Sequence, residues 1–119
     1  KLKILRTLKE DFPIYMVSNT NITHIEYTRK YRFRENGLTI DDYFDKLYFS
    51  YEIGASKPDA EFYKRVIDDT KVNPAESLFL DDKTENIDGA RQAGFQVCQV
   101  CPEDNLREKL FPFLNGISI

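Results

Sequence analysis

The chain has 119 residues, of which 41% are hydrophobic and 31% are charged, and its formal net charge is −3. These values are typical of one globular domain with a real core, and they exclude a disordered chain. The negative balance offers no basic footprint for nucleic acid, and the longest apolar runs are too short to span a membrane. Two cysteines are too few for a disulfide scaffold, so we expect a reducing, cytoplasmic setting.

The first ten residues, KLKILRTLKE, follow a helical pattern. Leu2, Leu5 and Leu8 recur at every third position with Lys and Arg between them, which predicts an amphipathic helix. The segment lacks the apolar core and the small-residue cleavage site of a signal peptide. Because the chain has no initiator Met and opens inside this helix, we expect a fragment of a longer protein. A domain whose Met and tag have been trimmed is the alternative.

Four short apolar runs alternate with helical patterns along the rest of the chain. The predicted order is strand 13–18, helix 21–36, strand 46–50, helix 59–70, strand 77–81, helix 84–93, strand 95–100 and helix 103–114. In helix 59–70 we expect Phe62, Val66 and Ile67 to form one stripe, and Gly94 is expected to end helix 84–93. This alternation predicts right-handed βαβ units, and hence an α/β fold with a parallel sheet in a single domain over residues 1–119.

The carboxyl ends of these strands carry the residues that could bind a ligand, since parallel α/β sheets bind ligands beyond those ends. They are Ser18, Asn19 and Thr20 after the first run, Ser50 after the second, and Asp81 and Asp82 after the third. The loop between the second strand and the next helix adds Lys57. A hydroxyl with a small amide, a lysine and a carboxylate pair are therefore predicted at one edge of the sheet.

Together these residues are the parts of a phosphoryl-transfer site. The Ser18 hydroxyl, the N–H groups after it and the following helix N-terminus can donate hydrogen bonds to phosphate oxygens. Lys57 can neutralise phosphoryl charge, and we expect Pro58 in the first turn of the following helix. Asp81 and Asp82 supply the hard oxygen ligands that Mg²⁺ prefers.

Each part also has an ordinary structural alternative when it is taken alone. Ser18 with Asn19 is typical of a helix N-cap, and Lys57 is typical of a solvated loop. The Asp81-Asp82 pair before a helix is typical of capping or of an interaction with the helix dipole. The order along the chain, with each part at a carboxyl end, favours the phosphoryl-transfer interpretation.

Three segments resemble motifs II, III and IV of the haloacid dehalogenase-like (HAD) hydrolases. They are MVSNTN at 16–21, SKPDAEFY at 56–63 and LFLDDKTENIDGARQAGF at 78–95, within a resemblance that spans roughly residues 10–102. Within the family, the segments look most like sugar-phosphate phosphatases of the glucose-1-phosphate phosphatase type. The resemblance implies a three-layer, Rossmann-like core with a parallel sheet.

The resemblance also implies a role for each matching residue. Ser18 and Lys57 would be catalytic, and together with Asn19 they would bind the phosphoryl group of the substrate. Asp82 would bind Mg²⁺ directly, and Asp81 would act on the ion through a bound water. Asn86 would be a supporting polar residue. The predicted site residues are therefore Ser18, Asn19, Lys57, Asp81, Asp82 and Asn86.

One part of the family pattern is missing from the printed sequence. The family nucleophile is the first Asp of an Asp-x-Asp-x-Thr/Val motif, and no Asp-x-Asp occurs here, since DDYFD at 41–45 and DDT at 68–70 have the wrong spacing. In the family, the first strand with that motif and a mobile cap precede the segment where this chain begins. The missing strand would lie between strands 13–18 and 77–81. These two strands would then face a gap, pair directly, or accept a strand from another chain.

Other candidate sites are less consistent with the sequence. CQVC at 98–101 has no second Cys pair and no nearby His, so we expect buried or semi-buried free thiols and not a zinc site. His24 is expected on a helix surface, and YTRKYRFR at 27–34 is expected to be a solvated helix face and not a nucleic-acid patch. A response-regulator receiver domain would place its acidic pair before the lysine and not after it.

The sequence therefore predicts, for the parent protein, a cytoplasmic, Mg²⁺-dependent phosphatase that acts on a small phosphorylated metabolite through an aspartyl-phosphate. The alternatives are a non-catalytic binding domain with this fold, or a HAD-type sugar-phosphate mutase or haloacid dehalogenase. No nucleic-acid or membrane partner is expected, although association with the missing N-terminal segment is possible and the oligomeric state stays open. The chain alone, without a nucleophile, is expected to be inactive and to bind Mg²⁺ weakly.

Overall fold

The computed structural model describes residues 2–31 and 37–114. In chain order these form α1 (Leu2–Asp11), β1 (Tyr15–Ser18), α2 (Ile22–Tyr31), α3 (Ile40–Tyr43), β2 (Lys46–Phe49), α4 (Ser50–Ile53), α5 (Ala60–Thr70), β3 (Leu78–Asp81), α6 (Thr84–Gln92), β4 (Gln96–Gln99) and α7 (Leu106–Leu110). Two short 3₁₀ helices are added at Pro74–Glu76 and Phe111–Phe113. The residues divide into two compact units between Ile53 and Gly54.

The first unit is built on a parallel pair of strands. β1 pairs with β2 so that Ser18 lies opposite Phe49, and the two strands therefore end at the same edge. Ile40, Tyr43 and Phe44 form its buried cluster. The half-buried side chains that pack on this cluster are Leu5, Ile14, Met16, Leu38 and Leu47. The short helix α3 thus supplies the centre of this core.

The second unit repeats the parallel arrangement. β3 pairs with β4 so that Asp81 lies opposite Gln99. Helices α5 and α6 pack with this pair, and apolar side chains from β3, from both helices and from the C-terminal segment that includes α7 are buried. These buried side chains are Phe62, Tyr63, Val66, Phe79, Ile87, Ala90, Leu110 and Leu114.

The four predicted strands are confirmed, each a little shorter than predicted, and the N-terminal amphipathic helix is confirmed as α1. Gly94 follows α6 with φ +102°, as predicted for a helix-ending glycine. Its N–H donates to the C=O of Arg91 at 3.0 Å, and the N–H of Phe95 donates to the C=O of Ala90 at 3.1 Å. This pair of bonds is a Schellman motif, which satisfies two carbonyls at the helix end.

Several helix boundaries differ from the prediction. Helix 103–114 is reduced to α7 followed by a 3₁₀ turn, and α3 and α4 were not predicted because four residues are too few to show a helical period. Pro58 precedes the N-cap Asp59, so its predicted place in the first turn of α5 is wrong. The predicted helix 21–36 is described only as far as Tyr31, and its last five positions lie outside the described residues.

The strand pairs bear on the predicted missing strand. In the described part of the chain, β1 and β2 form one two-stranded sheet and β3 and β4 form another. A direct pair between strands 13–18 and 77–81 is therefore not among the described strand pairs, whereas a gap or a strand from another chain stays a prediction.

None of the helices within residues 2–31 and 37–114 is long and apolar enough to cross a membrane.

Candidate active site

A buried ion pair joins Lys57 to Asp81. Lys57 Nζ lies 2.6 Å from Asp81 Oδ2, and the two side chains are only 9% and 7% exposed. Asp81 is the last residue of β3, and Lys57 lies in the loop before α5, where Asp59 N–H closes a turn on Ser56 C=O at 2.8 Å. The Lys57 ammonium also lies 5.8 Å from the centre of the Phe79 ring, within reach of a cation–π interaction. Two predicted site residues are thus brought together.

The Asp81 carboxylate accepts two further hydrogen bonds. Its Oδ1 atom accepts from the backbone N–H of Lys83 at 3.0 Å, which shapes the turn into α6. Its Oδ2 atom accepts from Asn86 Nδ2 at 3.2 Å in addition to Lys57. Asn86 is itself only 4% exposed. The predicted supporting residue therefore contacts the predicted metal-site residue directly.

These contacts determine the charge state of Asp81. Burial alone would raise its pKa, because a low-dielectric surrounding disfavours the charged form. The hydrogen bond from Lys57, the backbone hydrogen bond from Lys83 and the positive charge of Lys57 outweigh burial and lower the pKa below its ordinary value. Asp81 is therefore a fixed carboxylate that holds a lysine ammonium at the end of β3.

A tyrosine that the sequence did not point to supports this cluster. Tyr63 on α5 is 1% exposed, and its hydroxyl donates a hydrogen bond of 2.8 Å to the C=O of Asn86. Burial, followed by the negative charge of Asp81, raises the pKa of Tyr63 to about 12. Ile67, which was predicted to lie on the buried stripe, is only partly buried. The sequence places Tyr63 directly after Phe62 at the end of SKPDAEFY, and that position does not indicate where its hydroxyl points.

The acidic pair divides into an engaged and an exposed member. Asp82 is exposed, and its backbone C=O accepts a hydrogen bond of 3.0 Å from Gln99 Nε2. Carboxylate oxygens are the ligands that Mg²⁺ prefers, and one or two carboxylates with waters are enough to hold it. Asp82, with Asp81 beside it, therefore fits part of a magnesium shell. Within residues 2–31 and 37–114, no group of three or more His, Cys, Asp or Glu side chains could hold a metal ion.

The remaining predicted residues lie in the first unit. Ser18 ends β1 and is half-buried, and Asn19 after it is exposed. The Ser50 hydroxyl accepts from the Thr20 N–H at 2.9 Å and donates to the Thr20 C=O at 3.1 Å, which fastens the loop after Ser18 to the end of β2. The N-cap of α2, which was the alternative role for Ser18 and Asn19, is formed by Asn21. Asn21 Oδ1 accepts from the N–H of the third residue of α2 at 2.9 Å.

The two cysteines and His24 have ordinary structural surroundings. Cys98 and Cys101 are free and half-buried, as predicted. Burial raises the pKa of Cys98, which disfavours its thiolate form. His24 is exposed on α2, as predicted, whereas the basic segment 27–34 lies partly outside the described residues.

Comparison with known proteins is consistent with this geometry. The family model of the haloacid dehalogenase-like hydrolases matches residues 1–94. D-ribitol-5-phosphate phosphatase from Bacteroides thetaiotaomicron is 35% identical over 116 residues, which are 98% of this chain and 56% of that enzyme. The chain thus spans a little over half the length of this relative.

Solved structures give the same assignment. A HAD family enzyme from Bacteroides thetaiotaomicron, in complex with magnesium and inorganic phosphate, superposes with a TM-score of 0.86 at 32% identity, covering 90% of this chain and 55% of that one. A HAD-like family hydrolase from Porphyromonas gingivalis superposes with a TM-score of 0.89 at 28% identity, covering 98% of this chain and 57% of that one. The α/β fold with parallel strands is that of these proteins, and the chain belongs to the haloacid dehalogenase-like hydrolases.

Proposed function

We propose that this chain is part of a phosphatase that hydrolyses small phosphorylated metabolites in the cytoplasm with the help of Mg²⁺. The observation that carries the proposal is the buried Lys57–Asp81 pair at the end of β3. A lysine ammonium held at 2.6 Å by Asp81 provides a positioned positive charge, and the exposed Asp82 follows Asp81 in the chain. Such preorganised charge is what stabilises a transferring phosphoryl group. The phosphatase activity of the ribitol-phosphate relative supports the same assignment.

Lys57 and Ser18 would contact the phosphoryl group. We propose that the Lys57 ammonium, held in place by Asp81, donates to a phosphoryl oxygen. In the first unit, the Ser18 hydroxyl at the end of β1 would donate to a phosphoryl oxygen, with the exposed Asn19 amide beside it. The tie between Ser50 and Thr20 supports this role, because it holds the loop after Ser18 in one conformation.

Asp82 would hold Mg²⁺ directly, and Asp81 would act on it through a bound water. The exposure of Asp82 and the three donors already on Asp81 support that division. Asn86 would keep the Asp81 carboxylate oriented. The ion, when bound, would neutralise negative charge on the phosphoryl oxygens.

The reaction would proceed in two steps. An Asp carboxylate oxygen would attack phosphorus in line, so that an acyl phosphate forms while the bond to the leaving alcohol oxygen breaks and that oxygen takes a proton from an acid. Water would then hydrolyse the acyl phosphate, releasing inorganic phosphate and restoring the carboxylate. The attacking Asp would be the first of an Asp-x-Asp motif, which these 119 residues do not contain.

A phosphatase assay on p-nitrophenyl phosphate with Mg²⁺ tests the proposal. The 119-residue chain alone is expected to show no turnover, because losing a nucleophile costs on the order of 10⁶ in rate. A protein that joins this chain to an upstream Asp-x-Asp-x-Thr/Val segment is expected to turn over and to lose activity in Asp82→Ala. Robust turnover by the chain alone that Asp82→Ala abolishes would show that the nucleophile lies within these residues. Submicromolar Mg²⁺ affinity of the chain by calorimetry would contradict the partial metal site.

The missing Asp-x-Asp favours one other candidate, a binding domain that keeps the fold without the chemistry. The coding sequence upstream of Lys1 separates the two functions. An Asp-x-Asp-x-Thr/Val motif there supports the phosphatase. Its absence, combined with phosphate binding but no turnover by the expressed protein, supports the binding domain.

A further inference from the structure

We propose that Tyr63 is a positioning residue for the proposed phosphatase reaction. Its hydroxyl holds the first turn of α6 in place, and that turn presents the Asn86 amide to the Asp81 carboxylate. The inference rests on the proposed function, in which Lys57 contacts the phosphoryl group and Asp81 holds Lys57 in place. It extends that function to a residue three contacts away from Lys57 and outside the charged cluster.

The hydrogen bonds form a continuous chain. The Tyr63 hydroxyl donates to the Asn86 C=O at 2.8 Å, and the Asn86 side-chain amide donates to Asp81 Oδ2 at 3.2 Å. The backbone N–H of Asn86 also donates to the C=O of Lys83 at 3.1 Å. Asn86 is therefore held at its backbone by Tyr63 and by the turn that leads into α6, while its side chain holds Asp81.

The longest bond in this chain is also the one with the least tolerance. At 3.2 Å, the bond between Asn86 Nδ2 and Asp81 Oδ2 is already at the upper end of ordinary N–H···O distances. A shift of the α6 first turn by about 0.4 Å would stretch it to 3.6 Å, where no real hydrogen bond remains. A displacement of Asn86 away from Asp81 would therefore weaken this bond, and the Tyr63 hydroxyl supplies a contact that holds Asn86 in place.

The packing of Tyr63 against α6 is equally close. A Cβ atom on Gly89, one turn beyond Asn86, would lie 2.8 Å from Tyr63 Cε2 and 2.9 Å from the Tyr63 hydroxyl. Only a glycine allows the ring to approach this closely. The ring also meets Phe79 of β3 edge-on, with the ring centres 5.6 Å apart. The ring therefore packs against both α6 and β3, and a movement of its hydroxyl away from the Asn86 carbonyl would disturb these contacts.

The chemistry of the hydroxyl suits a permanent donor. Burial and the nearby Asp81 raise the pKa of Tyr63 to about 12, so the hydroxyl keeps its proton at any pH at which the enzyme would work. Its partner is a backbone carbonyl, which accepts but never donates. Tyr63 is therefore suited to positioning Asn86 and not to transferring a proton.

Two-dimensional ¹H–¹⁵N NMR of the 119-residue chain tests the inference through the Asn86 side-chain amide. In Tyr63→Phe, the Asn86 Nδ2 protons are expected to exchange with water about tenfold faster and to move towards the shifts of a free Asn. Tyr43→Phe removes the hydroxyl of another fully buried tyrosine, in the first unit, and is expected to leave the Asn86 signals unchanged. Gly89→Ala pushes on the Tyr63 ring from α6 and is expected to alter the same signals as Tyr63→Phe.

Kinetics give an independent readout in a protein that carries the nucleophile. Tyr63→Phe is expected to lower kcat by about tenfold with KM changed less than twofold, which is the usual cost of losing a residue that orients an active-site ligand. Unchanged Asn86 amide signals in both Tyr63→Phe and Gly89→Ala would overturn the inference whatever the activity. A wild-type protein with the Asp-x-Asp motif but without phosphatase activity would overturn the proposed function, and the Asn86 signals would still decide whether Tyr63 positions Asn86.

Discussion

Replacing Lys57 with Met tests the ion pair most directly. Methionine keeps the length and apolar character of the lysine stem and removes only the ammonium group. Asp81 would then be a buried carboxylate, 7% exposed, left with the Asn86 amide and the Lys83 N–H as partners. Removing one member of a buried pair costs about 3–5 kcal/mol, and we expect the lower end, about 3 kcal/mol, because those two hydrogen bonds remain.

The pH dependence of this loss provides the sharper test. In the wild-type chain the pKa of Asp81 is lowered, so its contribution to stability is complete above the unfolded pKa of about 3.9 and is lost as the pH falls through the folded pKa. In Lys57→Met both contributions of Lys57 are gone, and we expect burial, the largest influence on the Asp81 pKa, to outweigh the hydrogen bonds that remain. The folded variant then binds a proton more readily than the unfolded chain, and its deficit shrinks on acidification. We expect the loss in the free energy of unfolding caused by Lys57→Met to be about 1 kcal/mol smaller at pH 4.5 than at pH 7.

Urea denaturation at pH 7 and pH 4.5, followed by circular dichroism, measures both quantities. Lys64→Met is the matched control, because Lys64 is an exposed lysine on the neighbouring helix and the substitution changes the net charge equally. The control is expected to change the free energy of unfolding by less than about 0.5 kcal/mol at either pH. A loss below 1 kcal/mol for Lys57→Met at pH 7, or an equal loss at both pH values, would refute the reasoning.

Two further substitutions test the close packing of α6 and the loop after β1. In Gly89→Ala, the new Cβ would lie 2.8 Å from the Tyr63 ring. The resulting strain of about 1–3 kcal/mol should exceed the gain in helix propensity of about 1 kcal/mol, so we expect a lower thermal midpoint. A raised midpoint would contradict this packing. Ser50→Ala removes both hydrogen bonds to the Thr20 backbone and is expected to lower the free energy of unfolding by about 1–2 kcal/mol in urea denaturation. Ser50→Thr keeps a hydroxyl and should lower it less. Equal losses in the two variants would contradict the stabilising role of the Ser50–Thr20 hydrogen bonds.

The strands could be predicted because each is an apolar run bounded by polar or Gly/Pro positions, as at 77–81 and 95–100. The short helix α3 could not be found by periodicity, although Thr39 and Asp42 form a capping box, in which the Thr39 N–H donates to Asp42 Oδ2 at 2.7 Å. This Thr-x-x-Asp spacing was visible in the sequence. It was a usable signal for the start of the helix that supplies two of the three residues in the buried cluster of the first unit.

The candidate site was also partly predictable, because some of its residues lie in recognisable sequence patterns. Lys57, Asp81 and Asn86 carry polar groups in segments with a recognisable spacing, and the structure places them in contact. Tyr63 escaped detection because its aromatic ring resembles any buried residue of α5, and its function depends on where the hydroxyl points. Its partner is a backbone carbonyl, and sequence letters carry no information on which carbonyl lies within 2.8 Å of a hydroxyl. The roles of Ser18, Asn19 and Asp82 in binding remain predictions.

The three donors gathered on Asp81 restrict which amino acid that position tolerates. Lys57, Asn86 and the Lys83 N–H all point hydrogens at its two oxygens. An asparagine would have to direct an N–H of its own at one of these donors, and a glutamate would carry its oxygens one methylene beyond the three hydrogens. Aspartate alone combines the reach with acceptors on both sides. The last residue of β3 therefore has less freedom to vary than the exposed aspartate that follows it.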